Sequence, residues 1–319
     1  MESRDWTFLN CGLANIVFKY TGQDDGFENK ILRVRGFPRD HPDIDIPKTT
    51  EIYKYIDDKI LPFFQNDEVV DMQIVNITNQ FLIDLESRLP SDCKLSIKTS
   101  ESNAILMPNI FNYYTGLDFS EFHTLKLTKH FIFHIAPQGN IIFEFKPKWL
   151  YTPPDHHVYC RNCALIIHRG EDHIACNLNL LSQEGIKDWC KKILKSLAKI
   201  NDPEIDYLNL PKLLEKTLIN NLNAFKTLYK LQNVSIDYDI HSEIRGLESK
   251  EDVDEDLLLS MTIKDVSIFV ILNTQNDTGI LKIVDLDKKS NTKAMKWKKQ
   301  ELELSEIYNK KLENVPKCL

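Results

Sequence analysis

The apolar run Ile141-Ile142-Phe143 passes directly into Glu144-Phe145-Lys146-Pro147-Lys148-Trp149. β-Branched and aromatic residues in series read as a strand. Alternate side chains of an extended segment share a face. The spacing therefore predicts Glu144, Lys146 and Lys148 on one side and Phe145 on the other. Pro147 lacks an amide hydrogen, which predicts a strand end or a sheet edge. Two ammonium groups beside a carboxylate at a strand end suit a ligand carrying several phosphates; the alternative is an exposed strand end with solvated lysines. The chain carries 40 basic and 47 acidic side chains, a net charge of −7, so these cations are not a by-product of composition.

A length of 319 residues allows a large core and one or two domains. Hydrophobic content of 42% and charged content of 27% are ordinary for a soluble globular protein. The acidic balance argues against a nucleic-acid or membrane-surface binder but leaves room for a local basic pocket. No apolar run reaches transmembrane length, and Met1-Glu2-Ser3-Arg4-Asp5 lacks the apolar core of a secretory signal, so an intracellular protein is expected. The seven cysteines are odd in number and irregularly spaced, so disulfides are not expected.

Patterning predicts short strands over 6–17 and 30–34, joined through Tyr20–Gly26 like a hairpin. A helix is predicted over 49–67, then a strand through Val70, Met72 and Ile74, then a helix after Ile77. Residues 124–133 and 140–146 read as a β pair joined near Pro137-Gln138-Gly139. Pro153-Pro154-Asp155-His156-His157 reads as a connector. Helices are predicted over 184–200 and 210–231, an acidic solvated loop over 248–256, strands over 261–272 and 280–286, and a helix over 301–312. The expectation is an α+β chain with a strand-rich N-terminal lobe over 1–150 and a mixed C-terminal lobe over 151–319.

Four segments fit phosphoryl transfer. In Asn10-Cys11-Gly12-Leu13-Ala14-Asn15, a small-residue turn lets backbone approach phosphates; the alternative is an ordinary tight turn. On the next strand a cation is placed to meet nucleotide phosphate; Arg33 and Arg35 share one face, so alternation does not say which of them enters the site, and a surface arginine is the alternative, preferred for Arg35. The Glu144–Lys148 fork is the second segment. In Lys264-Asp265-Val266-Ser267-Ile268, Asp265 precedes an apolar strand and can accept the proton of an attacking hydroxyl, or merely cap the strand. In Asp285-Leu286-Asp287-Lys288-Lys289, Asp285 suits Mg²⁺. Lys288, Lys289, Lys293, Lys296, Lys298 and Lys299 follow with no acid among them. Such a run is usually a solvated face. Here it exceeds what a nucleotide requires and points to a highly anionic acceptor.

These segments together resemble the inositol pentakisphosphate 2-kinase family, in its fungal-type form. Glu144-Phe145-Lys146-Pro147-Lys148 is similar to its E-I-K-P-K signature, and Gly12-Leu13-Ala14-Asn15 to its G-x-A-N loop. Lys264–Ile268 resembles K-D-C-S-I, and Asp285-Leu286-Asp287 with Lys289 resembles D-L-D-x-K. The resemblance implies a two-lobed fold distantly related to protein kinases. It implies ATP- and Mg²⁺-dependent phosphorylation of the 2-hydroxyl of inositol 1,3,4,5,6-pentakisphosphate, giving inositol hexakisphosphate. By motif position, Gly12, Ala14, Asn15 and Arg33 would hold nucleotide, Asp265 would be the base with Lys146 beside the transferred group, and Asp285 would bind Mg²⁺. Lys146, Lys148, Arg169, Lys289 and Lys293 would grip the inositide, with Trp297 near it. A monomer in the nucleus, without direct nucleic-acid or membrane contact, is the matching expectation. Two alternatives stand beside it. One is a non-catalytic inositide-binding protein with a kinase-like fold, disfavoured by the intact Asp265 and Asp285. The other is a kinase with a different acceptor, disfavoured by the lysine excess.

Cys160-x₂-Cys163 with His168, His173 and Cys176 remains. Four ligands for structural Zn²⁺ can be drawn here as Cys160, Cys163, His173 and Cys176. The other reading is unligated thiols bordering the substrate site. Family members with a structural zinc carry it in a later segment.

Overall fold

A computed structural model describes residues 1–41, 46–65, 67–151, 157–234, 239–310, 312 and 318. The expected connector at 153–157 falls outside them except for His157. The chain forms two compact units, Met1–Ser120 and Glu121–Leu319.

The first unit contains β1 (Trp6–Cys11), β2 (Asn15–Tyr20), β3 (Lys30–Pro38), α1 (Thr49–Lys59), β4 (Gln73–Asn76), α2 (Asn79–Glu86), β5 (Leu95–Ile97), β6 (Asn103–Pro108) and α3 (Ile110–Thr115). The expected strand over 6–17 is two strands, reversed at Gly12-Leu13-Ala14. Its antiparallel sheet runs β1-β2-β3-β6-β4, with β5 pairing the end of β3. Ile16 and Phe18 of β2 and Leu32 and Val34 of β3 alternate into one core with Trp6 and, from α2, Leu82 and Leu85. The expected helix over 49–67 ends at Lys59, short of Pro62.

The second unit contains β7 (His123–Thr128), β8 (Phe131–Ala136), β9 (Asn140–Phe145), α4 (Arg161–His168), α5 (Gln183–Ala198), α6 (Leu210–Asn220), α7 (Leu222–Asn233), α8 (Ile240–Gly246), α9 (Glu255–Ile263), β10 (Ser267–Asn273), β11 (Thr278–Val284) and α10 (Ala294–Leu304). Its antiparallel sheet runs β11-β10-β9-β8-β7. β9 pairs with β10 over Asn140–Phe145, so residues 123–145 belong with the C-terminal strands. That pairing moves the boundary from the expected residue 150 to residue 120. On α5, capped by Ser182, Ile186, Trp189, Ile193 and Leu197 form the buried stripe. The Trp189 ring packs on those of Phe131 and Phe145, at 5.6 and 5.1 Å between centroids.

Four expected elements differ. Residues 261–263, read as strand, end α9. That helix is apolar nearly all round because Leu257, Leu258 and Ser260–Ile263 are buried, so no 3.6-residue period distinguishes it. Its N-terminus lies in the acidic run read as a loop: the Asp254 side chain accepts from Leu257 N, and Glu255 and Asp256 sit in the first turn, where the helix dipole favours them. The last helix starts at Ala294, not Glu301, because Ala294, Trp297, Glu301 and Leu304 supply a buried stripe through the lysine run. The single helix read over 210–231 is broken at Asn221 into α6 and α7.

Glu301 anchors α10 to α4 and α8. Its Oε2 accepts from Arg161 Nε at 2.5 Å, and its Oε1 meets His241 Nδ1 at 2.5 Å and Tyr308 OH at 2.7 Å. Glu301, His241 and Arg161 are all at most 1% exposed. Burial alone would raise the Glu301 carboxyl, but the His241 bond and the Arg161 charge outweigh it and hold it near about 2. Removing one partner of such a cluster leaves the others buried and unpaired. Glu301→Ala should therefore lower unfolding free energy by about 3–5 kcal/mol, measured by chemical denaturation. In the parent protein this carboxyl is depressed on folding. Its contribution is therefore full above its ordinary 4.5 and is lost as pH falls towards about 2.

Candidate active site

β9 stops at Phe145, and the next residues leave the sheet. Their backbone groups are taken up by buried side chains: Asn177 Nδ2 donates to Pro147 O at 2.5 Å, Gln232 Nε2 to Lys148 O at 3.2 Å, and Leu150 N to Gln232 Oε1 at 2.9 Å. Lys148 is held in the left-handed region, at φ 54°. The extended alternation therefore ends at Lys146, and the three-residue fork does not form as one face. Glu144 remains in the sheet, 3.7 Å from His134 Nε2. Lys146 and Lys148 each reach a different aspartate.

Lys146 Nζ donates to Ser267 Oγ at 2.6 Å and to Asp285 Oδ2 at 3.2 Å, and Ser267 Oγ donates to the same carboxylate oxygen at 2.9 Å. Ser267 opens β10, and Asp285 follows β11, paired with it in register. Asp285 also has a left-handed backbone, φ 64°, and its side chain is 50% exposed. A non-glycine residue in that region costs on the order of 1–3 kcal/mol, and such strain collects at functional sites. An open carboxylate at a strand end offers the hard oxygen donor that Mg²⁺ prefers.

Asp265 lies in the turn between α9 and β10, its amide donating to Thr262 O at 3.1 Å. Lys148 Nζ is 2.7 Å from its Oδ1 and Lys289 Nζ 2.8 Å from its Oδ2. The Lys289 amide donates to Thr262 Oγ1 at 3.1 Å, which fixes that chain segment against α9. Burial raises the Asp265 carboxyl, but Lys264, Lys148 and Lys289 outweigh it and hold it well below the usual carboxylate range. Burial pulls the Lys148 ammonium down, against Asp265. Burial also pulls Lys293 down, with Lys289 adding repulsion and Asp265 opposing, so Lys293 shares the same field. Lys264 is pulled by burial to about 7, and its Nζ lies 5.2 Å from the centroid of the Trp149 ring. Arg161 Cζ lies over that ring at 4.7 Å.

A cleft opens beside these groups, lined among others by His130, Lys148, Lys264, Asn162 and Arg169. Arg169, the C-cap residue of α4, thus shares a cleft with Lys148. Trp297 does not face it as expected: at 7% exposure it packs in the core with Trp149.

In the first unit, the Gly12–Ala14 turn joins β1 to β2, with Gly12 N donating to Asn15 O at 2.9 Å. A Cβ on Gly12 would meet no neighbour closer than 3.8 Å, so the small residue leaves open space at the turn. Arg33 and Arg35 stand on the same face of β3, and both are buried. Arg35, read as a surface residue, donates through Nη1 to Asn15 Oδ1 at 2.9 Å and braces the turn.

A family model described as Inositol-pentakisphosphate 2-kinase matches residues 8–238 and 227–303. The chain belongs to the inositol-pentakisphosphate 2-kinase family. A relative of that name from Debaryomyces hansenii is 30% identical over 96% of this chain and 92% of its own length. One from Saccharomyces cerevisiae is 29% identical over 68% of this chain and 71% of its own, and one from Yarrowia lipolytica 27% over 94% and 91%.

Within this family member, Lys146, Lys148, Lys289, Asp265 and Asp285 come together in the second unit, with Arg169 and Lys293 at its margins. Ser267, Asn177 and Gln232 were not singled out from sequence. Their partners lie 121, 30 and 84 residues away, so no local spacing marks them. The expected zinc set gathers differently. Cys160, Cys163 and Cys176 meet Cys318, while His173 stands outside with Nε2 3.0 Å from Cys163 Sγ.

Proposed function

We propose that this protein transfers the γ-phosphoryl group of ATP to the 2-hydroxyl of inositol 1,3,4,5,6-pentakisphosphate, giving inositol hexakisphosphate. The observation that carries the reading is the pairing of each aspartate with cations assigned to the substrate: Lys148 and Lys289 on Asp265, Lys146 on Asp285. A polyphosphate entering the site competes for those ammonium groups. As Lys148 and Lys289 turn to phosphate oxygens, Asp265 loses two of the three charges that acidify it, Lys264 remaining, and gains affinity for a proton. It then accepts the hydrogen of the acceptor hydroxyl as the oxygen attacks phosphorus, and the β–γ bridge oxygen leaves with ADP. Lys146, beside the attacked group, neutralises its equatorial oxygens. Mg²⁺ bound at Asp285 would screen charge on the nucleotide phosphates. Gly12, Ala14, Asn15 and Arg33 of the first unit are assigned to the nucleotide. A protein that only bound inositides would need no carboxylate among its cations, which favours catalysis over the binding-protein reading.

The test is incubation of the purified protein with ATP, Mg²⁺ and inositol pentakisphosphate, with anion-exchange separation of the products. The hexakisphosphate should accumulate only when all three are present. An unchanged inositide pool alongside tight pentakisphosphate binding would replace this reading with the binding-protein one.

A further inference from the structure

Four sulfur atoms of the second unit, three from residues 160–176 and one from Cys318, meet at the start of α4. The Sγ atoms of Cys160, Cys163, Cys176 and Cys318 all lie within 4.8 Å of one another. Cys160, Cys163 and Cys176 are buried, and all four are free thiols. A tetrahedral zinc with Zn–S of about 2.3 Å has its sulfurs about 3.8 Å apart. Cys160 Sγ and Cys176 Sγ are separated by 3.8 Å.

We propose that Cys160, Cys163, Cys176 and Cys318 form a closed tetrathiolate site for a structural zinc ion that fastens Cys318 to α4. The site has no place for a water or a substrate once four thiolates are bound, so its role is structural rather than catalytic. His173 Nε2 lies 3.0 Å from Cys163 Sγ, where the Nε2–H tautomer would donate to a metal-bound thiolate. The surrounding chain is built for this attachment. Cys318 N donates to Val158 O at 3.2 Å, Val158 N to Tyr308 O at 2.7 Å, and Leu312 N to Tyr159 OH at 3.1 Å. Tyr159, Leu304 and Tyr308 pack around the sulfurs. Arg161, next to Cys160, holds Glu301, and Asn162 lines the cleft beside Lys148. The ion would thus brace the helix that forms one wall of that cleft. The inference does not depend on the proposed reaction.

Metal analysis of the full chain, purified under reducing conditions without chelator, should give one zinc per molecule. Cobalt added to the reduced, zinc-stripped protein should produce sulfur-to-metal charge-transfer bands and the intense visible bands of a tetrahedral thiolate complex. Cys318→Ser should lose the charge-transfer intensity of one thiolate and weaken metal retention against a chelator at least about tenfold. His173→Ala should keep the full thiolate spectrum. Substoichiometric zinc together with no cobalt spectrum would overturn the proposal. So would a variant pair in which Cys318→Ser keeps the parent spectrum and His173→Ala loses it. Because the cobalt titration uses the parent chain, the proposal remains testable even where a variant folds poorly.

Discussion

Replacing Asp265 by alanine should lower kcat by about 10²- to 10⁴-fold, the range over which a positioned general base contributes. ATP affinity should be unchanged, because nucleotide is assigned to the first unit. The same substitution should tighten inositide binding. Lys148 and Lys289, which sit at 2.7 and 2.8 Å from the Asp265 carboxylate, would be released to the substrate phosphates. A collapse of kcat with a fall in the inositide dissociation constant is a signature that a purely structural aspartate does not give. Steady-state kinetics and calorimetric binding read the two separately. Appreciable remaining turnover would reject Asp265 as the base.

Lys146→Ala and Lys289→Ala should each raise the Michaelis constant for the inositide by about ten- to a hundredfold. A hydrogen bond to a charged group is worth about 1.5–3 kcal/mol, and each 1.4 kcal/mol is about a factor of ten. The ATP constant should move little. Lys146→Ala should also lower kcat, since its Nζ lies between Ser267 and Asp285. Lys289→Ala should act mainly on binding. Added salt should weaken inositide binding to the parent and blunt the difference between parent and variants, as expected for a partly exposed cluster. A selective rise in the ATP constant would contradict the assignment of these lysines.

Much of the second-unit site was legible in the sequence because its chemistry sits in short motifs at strand ends. Lys146 and Lys148 follow one strand, Asp265 precedes another, and Asp285 and Lys289 follow a third; sheet pairing then gathers them. What was not legible depends on backbone conformation or on distant partners. The left-handed backbone of Lys148 and Asp285 carries no glycine to announce it. Gln232 and Asn177 hold residues 147–150 from separate segments. Cys318 lies far along the chain from the other cysteines, whereas His173 is close to them in sequence, so proximity pointed to His173 and not to the thiol that meets the other three. Arg35 read as a surface residue because alternation places it with Arg33 but gives no information about what buries that face. Secondary structure was least legible where burial hides periodicity, as in α9, or where charge hides a buried stripe, as in α10.

The central claim is that the lysines around Asp265 and Asp285 present an inositol polyphosphate for phosphorylation at one hydroxyl. Phosphorus NMR of a running reaction tests it most directly, with ATP, Mg²⁺ and inositol 1,3,4,5,6-pentakisphosphate in one tube. The γ-phosphate signal of ATP should fall as one new phosphomonoester signal appears in equal amount, coupled to the proton on carbon 2. Loss of the γ signal into inorganic phosphate, with the inositide signals unchanged, would contradict the account.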